Sequence, residues 1–385
     1  MSLSEISDSK IIHLQSDLFE IPADVTYLNC ASMSPQLRSV TAAGFASVSS
    51  KVTPWTIDWF SDSEKLRDLA AKIVNADADS IALIPSASYG LAVAAANVKV
   101  EKGQNIVLLH EEFPSNYYIW EKLARTKEAQ IRLVKRAENE AWTLSILNSI
   151  DEKTAVVSVP NCHWTDGSLI ELERVAEKTR SVGAALVIDA SQSLGAYPLD
   201  AKKIKPDFLV SVGYKWLLCP YSLGFLYADE KWRTEGKPIE ESWLTRADSE
   251  NFATLVAYRS EYRTGARRFD MGEFTNFVTV PMAIAALQQI HEWKVENIQQ
   301  TLAVLTRLIA KKAEELGCRM LPENDRINHL IGIKLPNGIP AGFSEQMAQN
   351  KIFVSLRGEA IRIAPYLYND EADIEKFFEV LQKLI

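Results

Sequence analysis

Cysteine is scarce in this chain. The 385 residues hold four, Cys30, Cys162, Cys219 and Cys318, far apart and with no CxxC pair. Such spacing offers neither a zinc knuckle nor a disulfide framework and fits a reducing, cytoplasmic setting. Long apolar runs are missing as well. No stretch approaches the ~20 residues that span a bilayer, and the polar opening MSLSEISDSK lacks the order of an export signal. N-x-S/T sequons are absent. Positive charge is outnumbered, 42 Lys and Arg against 50 Asp and Glu for a net charge of -8. That balance excludes the basic footprint by which proteins displace counterions from nucleic acid, and it leaves small molecules as the expected partners. The basic residues are interleaved with acids, as where Lys135 and Arg136 precede Glu138 to Glu140, a pattern of solvated surface. Two enzymatic signatures are also missing. No GxGxxG follows an early strand, so a nicotinamide dehydrogenase lacks support, and His110-Glu111 meets Pro114 where a zinc-binding HExxH needs histidine.

What is present is an ordinary globular composition, 47% hydrophobic and 24% charged. The length suits one large domain with a smaller companion. Between about residues 60 and 230, helical periodicity alternates with short apolar runs, the pattern of a parallel sheet covered by helices on both faces. The runs at 80–85, 105–109, 154–159, 184–188, 208–212 and 223–227 predict at least six strands, and stretches such as 170–182 supply crossover helices. After residue 278 a long amphipathic pattern predicts one connecting helix over 280–316. A small α+β tail follows, with strands expected at 329–335, 352–356 and 361–364 and a closing helix from Glu371. The expected division is a large domain over 26–270 and a small one formed by 1–25 and 271–385.

In open α/β sheets, ligands bind beyond the carboxyl ends of the strands, so the polar residues there are read together. Asp189 directly follows the run 184–188. Burying a carboxylate costs several kcal/mol unless a cation faces it. A protonated pyridine nitrogen is such a cation, and the charged ring is an electron sink for carbanion chemistry at an amino acid. Twenty-six residues later the run 208–212 ends in Gly213-Tyr214-Lys215-Trp216. Desolvation favours a neutral amine there, able to form a Schiff base with an aldehyde and to shuttle a proton. The plainer reading is a surface lysine lying over Trp216. In Ser86-Ala87-Ser88-Tyr89-Gly90, small residues before an alanine-rich helix make an anion site, although Ser88 is equally an N-cap. Phe113 is placed either to stack on an aromatic cofactor or to fill the core.

These residues resemble the class V branch of fold-type-I pyridoxal-phosphate enzymes, which holds cysteine desulfurases, selenocysteine lyases, kynureninases and certain aminotransferases. The resemblance runs from Tyr27-Leu28-Asn29-Cys30-Ala31-Ser32, through Val187-Ile188-Asp189-Ala190-Ser191-Gln192-Ser193 and Gly213-Tyr214-Lys215-Trp216, to Ala360-Ile361-Arg362-Ile363-Ala364-Pro365 with Tyr368-Asn369. It implies an α/β fold with a mainly parallel, seven-stranded sheet, a small C-terminal α+β domain, and a homodimer with active sites at the subunit interface. By the same resemblance Lys215 carries pyridoxal 5'-phosphate as a Schiff base, Asp189 pairs with the pyridine nitrogen, and Gln192 lies near the ring hydroxyl. Ser86, Ala87, Ser88 and Tyr214 are the phosphate contacts. Phe113 is the kynureninase-type stacking residue, and Arg362 grips the substrate α-carboxylate through bidentate guanidinium geometry.

In Asn161-Cys162-His163-Trp164-Thr165-Asp166-Gly167, either His163 or Trp164 touches the ring, while Cys162 and His163 also suit a packed thiol beside a structural histidine. The stretch 265–276, with Arg267, Arg268, Thr275 and Asn276, resembles the region that family dimers lend to the neighbouring phosphate site. One departure narrows the activity. A desulfurase needs a mobile loop cysteine shortly before the carboxylate-binding arginine, and none lies between Leu335 and Arg362. Transamination, or Cβ cleavage of the kynureninase or selenocysteine lyase kind, is left as the expectation, with a desulfurase or a non-catalytic cofactor-binding protein as alternatives. Retention of Lys215 and Arg362, which folding does not require, speaks against the last.

Overall fold

All six apolar runs form strands. A computed structural model describes residues 10–136 and 141–385; the Glu138 to Glu140 stretch and the first nine residues lie outside them. The twelve strands are β1 (Thr26–Tyr27), β2 (Ile81–Ile84), β3 (Asn105–Leu109), β4 (Gln130–Val134), β5 (Thr154–Pro160), β6 (Ala185–Asp189), β7 (Phe208–Val212), β8 (Gly224–Ala228), β9 (Ile331–Ile333), β10 (Ile352–Phe353), β11 (Ser355–Arg357) and β12 (Ala360–Ile363).

Seven of them form one sheet in the order β2-β8-β7-β6-β5-β3-β4. The pairings from β7 through β4 are parallel, whereas β8 runs antiparallel to both β2 and β7. Inner strands are mostly apolar and almost wholly buried because both faces are covered. Alternate residues serve two separate cores: Ile81, Leu83, Val107, Val157 and Ile188 pack on one side, and Ala82, Ile84, Ile106, Val156 and Val187 on the other. Residue 132 shows why the sequence pattern missed β4. This edge strand places Arg132 at its centre, in an ion pair with Asp151 at 2.9 Å, so no apolar run marks it. Arg136 also departs from a solvated reading, since it bonds Ser168 Oγ at 2.7 Å and lies over the Trp142 ring.

The covering helices follow their apolar stripes. In Leu172–Ser181 the buried residues are Leu172, Val175, Ala176 and Thr179, a spacing that turns one face to the sheet. The connector expected over 280–316 is two helices, Thr279–Trp293 and Val295–Glu315, broken where Lys294 adopts φ 66°. With neither glycine nor proline at the break, the apolar periodicity continues across it unmarked. Beyond it, β9, β11 and β12 form a second, antiparallel sheet with β12 in the centre, and β1 pairs with β10. Gly332 on β9 permits a close approach: a Cβ there would lie 2.8 Å from Asp166 Cα, so this sheet docks directly on the 161–167 loop. Among the described residues no helix is long and apolar enough to cross a membrane.

A fully buried ion pair ties the sheet edge to the chain beyond it. Arg67 reaches Asp270 through Nη1 (3.0 Å) and Nη2 (2.9 Å), and Asp270 Oδ1 also accepts from the Leu83 amide at 2.7 Å. Removing one member strands the other charge in the core, at about 3–5 kcal/mol. Asp270→Ala should therefore lower apoprotein stability by that order in urea unfolding; a loss below about 1 kcal/mol would contradict the pairing's role.

Candidate active site

The carboxyl ends of β2, β3, β5, β6 and β7 open toward the same side of the sheet. Asp189 closes β6 opposite Val210 of the neighbouring β7, and Pro160 closes β5 opposite Asp189. After β7 the chain turns at Gly213, whose amide bonds Leu223 O at 2.8 Å, and delivers Lys215. Gly195, at φ 98°, lets the turn after Asp189 pass beneath it, since a Cβ would meet Trp216 O at 2.5 Å. One recess results, lined by Ala87, Phe113, Asp189, Gln192, Tyr214 and Lys215, with Glu112, Cys162 and Trp164 completing its wall.

Lys215 is 7% exposed and Asp189 6%. The ammonium nitrogen sits 5.5 Å from the Phe113 ring centroid and 5.9 Å from that of Tyr214. Burial pulls the Lys215 amine down to about 8; Asp189 opposes the shift, and Arg362 and Arg357 add to it. A larger share of this side chain is thus free amine at neutral pH than for an exposed lysine. This is no lysine lying on the surface. Asp189 Oδ1 accepts from the Ser191 amide at 2.9 Å, and among the described residues it makes no ion pair.

The helix Ala87–Asn97 begins beside the recess. Its N-cap is Ser86, not Ser88: Ser86 Oγ accepts from the Tyr89 amide at 3.2 Å, and the two serine hydroxyls lie 2.9 Å apart. The amides of Ala87 and Ser88 stand at the free end of this helix, ahead of the bond from Gly90 to Ser86 O. Phe113 is 37% exposed and sits on the rim rather than in the core. Gln192 lines the recess but is already engaged, accepting from Trp216 Nε1 (3.1 Å) and donating to Ala31 O (3.0 Å).

Of His163 and Trp164, only the tryptophan lines the recess. His163 turns away to stack on Trp142 at 5.3 Å, its ring nitrogens facing Thr165 Oγ1 and His110 O. Trp164 stands edge-on to Phe113 at 5.6 Å. Its backbone carbonyl accepts from Arg362 Nη1 at 2.9 Å. Arg362 is 1% exposed, and its Nε and Nη2 have no partner among the described residues. Burial, with Arg357 alongside, lowers its guanidinium to about 9, which remains charged at neutral pH. Thr275 and Asn276 are not brought to this recess. They line another, with Trp59 and Asp62, where Asn276 Oδ1 accepts from the amides of Val278 and Thr279. Arg267 is held by Glu64 and Asp79, and Arg268 by the carbonyls of Thr234 and Gly236.

Two residues were not singled out from the sequence. Glu112 is buried on the recess wall; its Oε1 accepts from the Phe113 amide at 2.7 Å and its Oε2 has no partner among the described residues. Arg357 carries its guanidinium 5.4 Å from the Trp164 ring centroid. In the sequence, Glu112 stands beside Phe113, and Arg357 lies five positions before Arg362, but only the folded chain puts Glu112 on the recess wall and Arg357 against Trp164.

A model of class-V aminotransferases matches residues 30–377. The chain belongs to this family. It is 24% identical over 325 residues to the uncharacterized aminotransferase YcbU of Bacillus subtilis, covering 81% of each chain. To a probable cysteine desulfurase of Methanothermobacter thermautotrophicus it is 28% identical over 340 residues, covering 83% of each. The apo cysteine desulfurase from Thermococcus onnurineus NA1 superposes with a TM-score of 0.84 at 18% identity, over 97% of this chain and 98% of that one, and so shares the fold. The fold is the fold-type-I arrangement, and pyridoxal 5'-phosphate is the family's cofactor. The recess fits that group: a buried amine suits an aldehyde, a buried carboxylate without a cation suits a ring cation, and free helix amides suit a phosphate.

Glu112 supplies a test of the recess itself. Burial chiefly, with the Asp189 charge adding, raises its carboxyl to about 8, so it is protonated at neutral pH. Because the unfolded value is near 4.5, Glu112's contribution to folding is complete below that pH and is lost as pH rises through about 8. Urea unfolding of the apoprotein at pH 5 and pH 8.5 should show this loss, and Glu112→Gln should flatten it. Identical pH dependence in variant and wild type would argue against a protonated Glu112.

Proposed function

We propose that this protein is a pyridoxal-phosphate enzyme that processes an amino acid by transamination or by cleavage at Cβ, with Lys215 as its catalytic residue. The observation that carries the reading is Lys215 itself, a buried amine lowered to about 8 in one recess with the buried carboxylate of Asp189. When bound, the cofactor supplies the electron sink for the pair left at the substrate Cα.

The chain's own groups do the rest. Lys215 Nζ would hold the cofactor through its aldehyde. Freed when the substrate amine takes its place there, it takes the proton from Cα, and the two reactions part according to whether a bond at Cβ then breaks. Asp189 keeps a proton on the ring nitrogen by opposing its charge. The amides of Ala87 and Ser88, with Ser86 and Tyr214, bind the phosphate; Phe113 and Trp164 cover the ring and exclude water, and Gln192 bounds the ring's edge. Arg362 presents its free Nε and Nη2 to the substrate α-carboxylate. A desulfurase reading has less support. All four cysteines are buried, burial raises every thiol, and none lies between Leu335 and Arg362.

The reading includes a cytoplasmic homodimer with active sites at the subunit interface. Exposed apolar side chains at Val52, Trp55, Val256 and Tyr258, the last 97% exposed, support a covering second copy. Thr275 and Asn276, apart from the recess of their own chain, suit residues lent to that copy's phosphate site. The test of function is a panel of amino acids given to the holoenzyme with and without a keto acid acceptor. Acceptor-dependent amino transfer, or release of a side-chain product without acceptor, is expected; a panel yielding neither would overturn the reading.

A further inference from the structure

We propose that the substrate is an amino acid with a side-chain carboxylate, and that Arg357 is the residue that binds this second carboxylate. The inference rests on the preceding reading of the recess, in which Arg362 takes the α-carboxylate.

The two arginines are neighbours by register. Arg362 on β12 pairs with Ser355 on β11, and Arg357 lies two residues along that strand. Side chains two apart on a strand share a face, and so do cross-strand partners. Arg362 and Arg357 are therefore diagonal neighbours on one face, just behind the Trp164 wall of the recess. Trp164 joins them to it: Arg362 holds its carbonyl, Arg357 lies over its ring, and the same residue lines the wall with Lys215. Both guanidinium groups lie near enough to Lys215 to disfavour its ammonium form.

Neither arginine has an acidic partner among the described residues. No ion pair among the described residues includes Arg357 or Arg362; Nε of each has no partner, and Arg357 Nη1 is spent on Leu356 O. The acids of the recess do not fill the gap, because Asp189 is committed to the ring nitrogen and Glu112 is protonated at neutral pH. An α-carboxylate compensates one guanidinium and leaves the other partly buried and unmatched, which is costly. A second carboxylate on the same small molecule matches it. Arg362 is wholly enclosed and Arg357 half-buried, as expected if the first grips the invariant end of the substrate and the second its side chain, nearer the rim.

The experiment titrates the holoenzyme with L-aspartate, L-glutamate, L-asparagine, L-glutamine and L-alanine, reading dissociation constants from the cofactor's visible absorbance. Wild type should bind the better of the two acids about 10- to 100-fold more tightly than its amide, the worth of a charge-assisted hydrogen bond. Arg357→Gln should erase that preference, weakening the acids far more than the amides and alanine, and a retained cofactor absorbance band shows that the variant is folded. Arg362→Gln should weaken every amino acid. Equal binding of acids and amides by wild type, or an acid preference that survives Arg357→Gln, would overturn this inference and leave the enzyme reading intact. Absence of any spectral response to any amino acid would instead sink the enzyme reading.

Discussion

The structure is organised around the cost of keeping an amine and a carboxylate out of water at the ends of two adjacent strands. Asp189 and Lys215 share one recess because β6 and β7 pair in parallel and both chains turn on the same side of the sheet. Each charge is desolvated and neither is neutralised by an ion pair among the described residues. Such an arrangement is expensive for a protein that only has to fold. It becomes favourable when an aldehyde takes up the amine and a ring cation faces the carboxylate. The surrounding features extend the same logic, with a helix terminus for an anion and aromatic rings that limit water.

The remaining charges are arranged with equal economy. Glu112 lines the same recess as Asp189, and its carboxyl is raised chiefly by burial, with the Asp189 charge adding to the shift. Beyond Trp164, Arg362 and Arg357 form a pair of cations with no ion-pair partner among the described residues. Trp164 thus joins the recess that holds Asp189 to a strand face that carries two arginines.

The central fold was legible because fully buried strands are written as apolar runs, and groups just past those runs line the recess. Asp189 and Lys215 could be read that way, and the resemblance added Arg362. Where the pattern was silent, the physical reason is specific. β4 is an edge strand with Arg132 in its middle, and Lys294 breaks a helix without a residue that announces a break. His163 and Trp164 are adjacent, and only the docking of the loop against β9 decides which one faces the recess. Gln192 lines the recess, yet its amide is already claimed by Trp216 and Ala31. Arg357 and Glu112 carry no local signature, since their importance comes from what packs around them.

The most direct measurement is reductive trapping. Apoprotein is incubated with pyridoxal phosphate across a pH series, reduced with borohydride, and mapped by peptide mass spectrometry. The account predicts a single modified lysine, Lys215, with an initial rate of incorporation that rises with pH and levels off above about 8, as the buried amine loses its proton. Modification at another lysine, or a rate that keeps climbing toward the ordinary lysine value near 10, would contradict it.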